Sequence, residues 1–582
     1  MRNRGGMAGR RQAQTGAARF LAPVAGWHDV SSADGGQGQA QEMVNFWPTA
    51  RGVQIRGGSV EYADAGERID RIFEHSSPTG RILFGTSASR LYNLDRLSTG
   101  DDTHARAHGF SNGDWSTSQV TTSGGTFLIG FNGEDAGIYY EDRIRPYIDG
   151  ANKLFTISFD ALTEEFTAGD TVTGATSGTT GTLRIATTPA SSTAGSLYIE
   201  SSASSLTFID NETITGAASG SATIDGTSAT EISSPPSVSG VDTANINYVW
   251  QFKQRVFLIE KDSMSAWYLP VDSFGGTASE INLGSVFGLG GNLLFGVNWS
   301  IDSGEGLDDV CLFVTTEGEI AVYVGTDPSS ASTWALRGVY RIPKPVNKHA
   351  GVKVGADVVI LTEGGMFSVS RIVQGGIGTV EGSALSQPIE NTWIDAVGAQ
   401  TTVKRMTAEF WPEKSLMIVG APNDSSVSVS IRKRGFAFHT QTGAWSEIRA
   451  WEMIAVKLSG EILYFSDADG KVFKANETGQ DDGDEILAWC YCTPQSLGGF
   501  RARAIEVAID YDGSITTISP RAISEGGTAL ADSDEDFSSI DNVADAEGRT
   551  LAPGVYVTSD TTNANTLELL GFTLRYESSR RF

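Results

Sequence analysis

One local pattern recurs along the whole chain: a short apolar run, a small polar turn and a second apolar run. It reads "RILFGTSASRLYNLD" at 81–95, "TFLIGFNGEDAGIYYE" at 126–141 and "RVFLIEKDSMSAWYLP" at 255–270. It returns at 310–325, 357–372 and 461–476, with a degenerate copy at 415–431. The first run is almost purely apolar, as in Val256-Phe257-Leu258-Ile259 or Cys311-Leu312-Phe313-Val314. Such runs, closed by turn residues, suit strands covered on both faces. The turns use Ser, Gly, Asp, Glu and Asn, which tolerate tight hairpin geometry.

The runs begin at Ile82, Phe127, Val256, Cys311, Val358, Leu416 and Ile462, in steps of 45, 129, 55, 47, 58 and 46. The outlying step contains a self-repeating stretch, 155–232, and without it falls to about 51, in the range of propeller and array repeats. A four-stranded blade takes about 40–50 residues. Each hairpin therefore reads as the inner hairpin of a blade. Strands opening on tryptophan in "GDWSTSQV" (113–120), "STWALRGVYRI" (332–342) and "TGAWSEI" (442–448) read as outer strands. The predicted fold is all-β: an irregular β-propeller with an inserted β-module and a C-terminal β-sandwich-like platform. A tandem array of small sandwiches is the rival architecture.

The predicted organisation is a basic flexible arm (1–19) and an extended segment (20–66) packing on the platform. A propeller follows (67–154 and 233–480), interrupted by the module 155–232, and the platform spans 484–582. The module repeats itself: "FTAGDTVTGATSGTTGTL" (166–183) matches "FIDNETITGAASGSATID" (208–225) at an offset of 42. Asp170 aligns with Glu212, Gly174 with Gly216 and Ser177-Gly178 with Ser219-Gly220. "DTVTG" and "ETITG" alternate as half-exposed strands do. With no charge clusters, the module reads as a spacer or a projecting contact.

The chain carries 43 basic and 70 acidic residues among 582, a formal net charge of −27. A protein that wraps nucleic acid presents a basic face, so this balance disfavours DNA wrapping but does not exclude a conduit through which DNA slides. No stretch reaches the length of a membrane-spanning helix, and the basic start lacks the apolar core of a secretory signal. The three cysteines, Cys311, Cys490 and Cys492, suggest no disulfide framework. The Cys490/Cys492 pair lacks the further ligands of a structural zinc site.

Catalytic and cofactor signatures are missing: no P-loop, no G-x-S-x-G elbow and no Rossmann fingerprint in a strand–helix context. His104 and His108 in "THARAH" read as a solvated loop pair, and "GLGGNLLFG" (288–296) as a bend beside a strand. "SDADGK" (466–471) reads as a β-turn, lacking the remaining ligands of a calcium loop. With "TGAWSEI" it weakly resembles sialidase Asp-box turns, but no local signature nominates a converging carboxylate pair. No catalytic residue, cofactor or metal is predicted.

The stretch after the arm carries the most specific motif. Ala22-Pro23-Val24-Ala25-Gly26-Trp27, then Asn45-Phe46-Trp47-Pro48, then Val53-Gln54-Ile55-Arg56-Gly57-Gly58 follow in order. This succession resembles the opening of the tail nozzle proteins, the tubular-protein-B-like components of short-tailed, T7-type bacteriophages. The Phe-Trp order before Pro48 departs slightly from that family. "FHTQTGAWSEI" and the terminal "GFTLRYE" resemble it more softly.

The resemblance implies a non-enzymatic structural protein of the virion tail, assembled in the bacterial host cytoplasm. It implies a homo-oligomer, a hexamer, extending the DNA exit channel below the adaptor and portal and gating genome release. Its partners would be the adaptor protein, tail fibres and viral DNA passing without specific binding. Candidate assembly or partner contacts are Arg2, Arg4, Arg10, Arg11, Trp27, Phe46, Trp47, Arg56, Arg580 and Arg581. Two other readings stay open: a receptor-binding or adhesin propeller of a phage tail, and a propeller glycosidase.

Overall fold

The computed structural model describes residues 14–29, 36–78, 80–97, 106–189, 193–302, 307–375, 384–400, 405–422, 433–497, 501–513, 517–524, 546–559 and 566–578. Arg2, Arg4, Arg10, Arg11, Arg580 and Arg581 lie outside them, as does His104.

The apolar runs become the second strand of every blade. Among the described residues seven blades can be traced, and in each the strand beginning at a predicted run lies between two neighbours. Blade 1 is Arg71–Ser77, Gly80–Thr86, Arg90–Asn93 and Arg106–His108. Blade 2 is Ser116–Thr122, Gly125–Phe131, Ile138–Tyr140 and Ile144–Pro146. Blade 3 is Ile246–Phe252, Arg255–Glu260, Ser265–Tyr268 and Ser279–Asn282. Blade 4 is Leu293–Asp302, Leu307–Thr315, Glu319–Gly325 and Trp334–Arg341. Blade 5 has three strands, Gly351–Val354, Asp357–Thr362 and Gly365–Ser368. Blade 6 is Thr407–Trp411, Leu416–Gly420, Arg434–His439 and Trp445–Arg449. Blade 7 begins with Val456–Ser459, Ile462–Ser466 and Lys471–Ala475.

The first strands of blades 1 to 4 adjoin in turn, that of blade 4 meets the second strand of blade 5, and those of blades 5, 6, 7 and 1 adjoin in turn to complete the ring. The recurring hairpin is thus strands two and three, the middle of the blade and not its inner edge. This position explains the unbroken apolar runs, because a middle strand is covered by the adjacent blade on each face. Ile129, Leu258, Leu312, Ile360 and Ile418 are all fully buried. "GDWSTSQV" also moves: it leads into the innermost strand of blade 2, whereas Trp334 and Trp445 do open outer strands.

The ring is closed by a strand from far upstream. Ser59–Asp64 pairs antiparallel with Lys471–Ala475 and supplies the fourth strand of blade 7. It lies inside the segment 20–66 assigned from sequence to the platform. The rest of that segment does join the platform, as strands and not merely as an extended chain. Phe46–Pro48 and Val53–Ile55 continue a sheet with Glu568–Ser578 and Ala502–Asp512. Gln14–Leu21 pairs with Glu568–Ser578 as well, so part of the predicted arm is strand. A second sheet runs Ala40–Val44, Asp484–Cys492, Thr550–Ser559 and Thr517–Ser524. Ala40–Val44 also meets blade 6 in parallel at Val44 and Glu447, so platform and propeller share one hydrogen-bonded sheet.

The inserted module is a closed six-stranded barrel: Lys153–Glu164, Thr171–Gly174, Thr180–Thr188, Gly195–Ser201, Thr213–Gly216 and Ser221–Ile232. The two repeats pair with each other. Thr173 faces Thr215, and Thr156 faces Tyr198, both partners 42 residues apart, as a two-fold axis through the barrel requires. Although inserted between blades 2 and 3, the barrel is hydrogen-bonded to blade 1, where Ala186 faces His108. His108 is consequently buried in a strand and not solvated.

Among the described residues the α-helices are Val369–Gly375 and Glu390–Gly398, which follow blade 5. Trp393, Ala396 and Val397 fall on the buried face of the second, at the spacing that places side chains on one helix stripe. The Trp393 indole donates to the Thr362 carbonyl at 3.0 Å.

Candidate functional site

The predicted contact residues within the described chain all face inward. Gly26 has φ +80°, and a Cβ there would lie 2.4 Å from the Trp445 nitrogen. Only glycine lets the backbone turn this close to blade 6. Trp27 then donates its backbone N–H to the Trp445 carbonyl at 2.8 Å and stacks on Phe436. Phe46 is fully buried, and Trp47 packs on Trp451 while its indole donates to Asn476 at 3.3 Å.

Arg56 has no exposed surface. Its guanidinium donates to both carboxylate oxygens of Asp481, to the side chain of Asn45 and to the carbonyls of Gly57 and Arg449. The Trp451 ring lies 4.5 Å below it, and the Trp451 indole donates to Asp481 at 2.8 Å. Asn45 adopts φ 59°, which asparagine tolerates better than most residues. Its amide reaches the Leu487 carbonyl at 2.7 Å. At Gly58 a Cβ would lie 1.7 Å from the Gln480 carbonyl oxygen. Trp27, Phe46, Trp47 and Arg56 therefore form an intramolecular seam between platform, blade 6 and the closing strand. Their large apolar area and one buried cation are used within the chain and not displayed to a partner.

The open polar site lies on the propeller axis. A cavity of about 670 Å³ is bounded by the innermost strands, with Glu74, Gln119, Lys353, Glu409 and Lys457 on its wall. Lys457 meets Glu409 at 3.1 Å, which raises the lysine pKa, and Arg81 meets Glu74 at 3.5 Å. A second cavity of about 390 Å³ lies where the innermost strands begin and is lined by Arg68, Asp70, Arg71, Asp114 and Arg405. Arg71 borders both.

Between the cavities one carboxylate, ahead of blade 2, holds three cationic or ionisable groups, one from blade 1 and two from blade 5. Asp114 accepts from Arg71 Nε at 2.9 Å and His349 Nε2 at 3.0 Å, and lies 3.3 Å from Lys348 Nζ. Lys348 also donates to the carbonyls of Asp114 and Asn247 and to the Asn247 side chain. Burial alone would raise the Asp114 pKa. Arg71, His349 and Lys348 outweigh it and hold the carboxyl well below the usual range. Burial pushes His349 down to about 4, leaving it neutral near pH 7, and lowers Lys348. Asp114 nevertheless keeps half of its side chain open to the axial space. The cluster thus pins blades 1, 2, 3 and 5 together beside a wet cavity. Sequence reasoning missed it because its members sit at the starts of innermost strands far apart in the chain: Arg71, Asp114 in "GDWS" and Lys348-His349 in "VNKHAG".

Among the described residues no group of His, Cys, Asp and Glu is placed to hold a metal ion, and no helix is long and apolar enough to cross a membrane. The Asp467 carboxylate caps the N–H groups of Asp469, Gly470 and Lys471, so "SDADGK" is a turn.

The strand pairings define a β-propeller protein. No protein-family model and no curated protein matches the chain. Solved structures that align include the yeast Saccharomyces cerevisiae Sqt1, at 10% identity and TM-score 0.34 over 72% of this chain and 99% of that one. The computationally designed Ika8 protein aligns at 10% identity and TM-score 0.32 over 72% and 98%. The Cps50 (Swd1) β-propeller domain of Myceliophteria thermophila aligns at 8% identity and TM-score 0.27 over 72% and 99%. Likenesses this distant say nothing about activity.

Proposed function

We propose that this chain is a structural subunit of the tail nozzle of a short-tailed bacteriophage. In this reading six copies form a tube below the adaptor and portal, and DNA leaves through their common lumen. One observation carries it: the three motif pieces that resemble the nozzle family converge on a single seam. Gly26-Trp27, Asn45-Phe46-Trp47 and Arg56-Gly57-Gly58 interlock there, and the last runs into the strand that closes the propeller. The resemblance thus falls on residues that organise the fold and not on an interchangeable surface stretch.

The charge of −27 per chain is consistent with this role. A lumen that repels phosphates lets DNA slide, whereas a basic one retains it at low salt. The axial cavity of a single propeller, about 670 Å³, is too small for a duplex, so the DNA path in this reading lies between subunits.

The test is a phage deleted for this chain. Particles should package DNA but carry a truncated tail tip and fail to retain or deliver the genome. Particles with a complete tail tip would overturn the proposal. The receptor-binding alternative draws on the barrel, which stands outside the ring of blades. Binding of the purified protein to host cells, lost on removing 153–232, would favour it.

A further inference from the structure

The smaller axial cavity has a composition at odds with the rest of the molecule. In a strongly acidic chain its lining brings together Arg68, Arg71 and Arg405, with Lys348 just behind, against two carboxylates, Asp70 and Asp114. Arg405 also pairs with Asp70, at 3.9 Å, while Arg71 and Arg68 are only partly used. Arg71 gives Nε to Asp114, and its two Nη groups have no hydrogen-bond partner among the described residues. Arg68 gives Nε and Nη2 to Asp70 and keeps Nη1. The acids engage one edge of each guanidinium, and both arginines line the cavity.

The rim around them is fixed by its own contacts. Asn112 caps the Asp114 N–H at 2.9 Å, and Asn347 holds the His349 N–H and the Met406 carbonyl, each at 2.8 Å. A cavity of about 390 Å³ falls in the range of small-molecule sites, about 300–1,000 Å³. Planar guanidiniums with free edges are the usual partners of carboxylate and phosphate oxygens.

We infer that this mouth of the propeller axis is a binding site for a small oxyanion, a carboxylate or phosphate group, held by Arg71 and Arg68. The inference does not depend on the nozzle reading. The bound group sits beside the cluster that ties four blades together, so occupancy stiffens the ring.

Inorganic phosphate and succinate, each titrated into the full-length protein at constant ionic strength with sodium chloride as reference, test this. Calorimetry and thermal unfolding should both show saturable binding of at least one, and the responding probe identifies the source of the oxyanion. Arg68→Gln leaves the Asp114 cluster intact and should weaken binding about tenfold or more, as expected for a lost charge-assisted contact. Arg71→Lys should weaken it as well. Arg145→Gln, at a distant surface, should leave binding unchanged. Absence of saturable binding by either probe, or equal binding by Arg68→Gln and the parent, would overturn the assignment.

Discussion

The barrel and the propeller are both built by repetition, yet they demand different things of their residues. In the barrel each repeat completes the other. The Glu212 carboxylate accepts from the backbone N–H groups of Thr176 and Ser177, and Asp170 accepts from that of Ala218. Asp170 and Glu212 are equivalent positions, as are Thr176 and Ala218, so each acid closes the turn of the opposite copy. That reciprocity needs particular side chains at particular places, and the repeat survives as matching residues. A blade asks only for two middle strands apolar on both faces. The seven blades consequently share a pattern and almost no identities. Specific residues return in the propeller where geometry is unique: at the seam that closes the ring and at the axis.

The largest effect should come from the seam. Arg56→Ala leaves Asp481 buried without its cation, and losing one partner of such a pair costs about 3–5 kcal/mol. Chemical denaturation should show this as a lower midpoint of the main transition. Hydrogen exchange should find the barrel amides still protected, since Arg56 binds Asn45, Gly57, Arg449, Trp451 and Asp481 in the seam.

Next comes the middle of a blade. Leu312→Ala should cost about 2–5 kcal/mol by opening a cavity between neighbouring blades, whereas Leu312→Met should cost less than about 1.5 kcal/mol. Equal losses would mean that blades need identities as the barrel does.

Glu212→Ala should cost about 1–2 kcal/mol, the scale of a lost cap. Exchange should rise in the turn at 175–178 of the opposite repeat, with the propeller unaffected. A global loss of protection would erase the distinction between the two regions.

The smallest effect concerns the junction. His108 is buried where blade 1 meets the barrel, and neither ring nitrogen has a hydrogen-bond partner among the described residues. Burial lowers its pKa to about 4, below the ordinary 6.5. The unfolded chain therefore takes up a proton first as pH falls. The His108 contribution is complete above pH 6.5, declines between 6.5 and 4 and changes no further below. His349 adds a decline over the same window. His108→Leu should change stability by less than about 1 kcal/mol at pH 8 and make the acid-side decline shallower. An unchanged slope would show that His108 is not buried in its neutral form.

These contrasts account for what the sequence discloses. The middle strands were legible because double burial writes itself as continuous apolar runs. The barrel repeat was legible because its caps demand identities. The closing strand Ser59–Asp64 was hidden: its pattern is half-exposed and its partner lies more than 400 residues away. Blade order was misread by one strand, since nothing local distinguishes a middle hairpin from an inner one. The axial cluster was illegible because Arg71, Asp114, Lys348 and His349 meet only when the ring closes. The motif at 22–58 was visible, but its aromatics and Arg56 read equally well as surface contacts until the seam buried them.

In the proposed role this propeller is one of six subunits around a DNA exit path. Cryo-electron microscopy of the assembled particle tests it most directly. The account predicts six copies of the platform-and-propeller body around the tail axis, below the adaptor, enclosing a lumen wide enough for a duplex. Density for this chain elsewhere on the particle, or copies that do not encircle the axis, would contradict it.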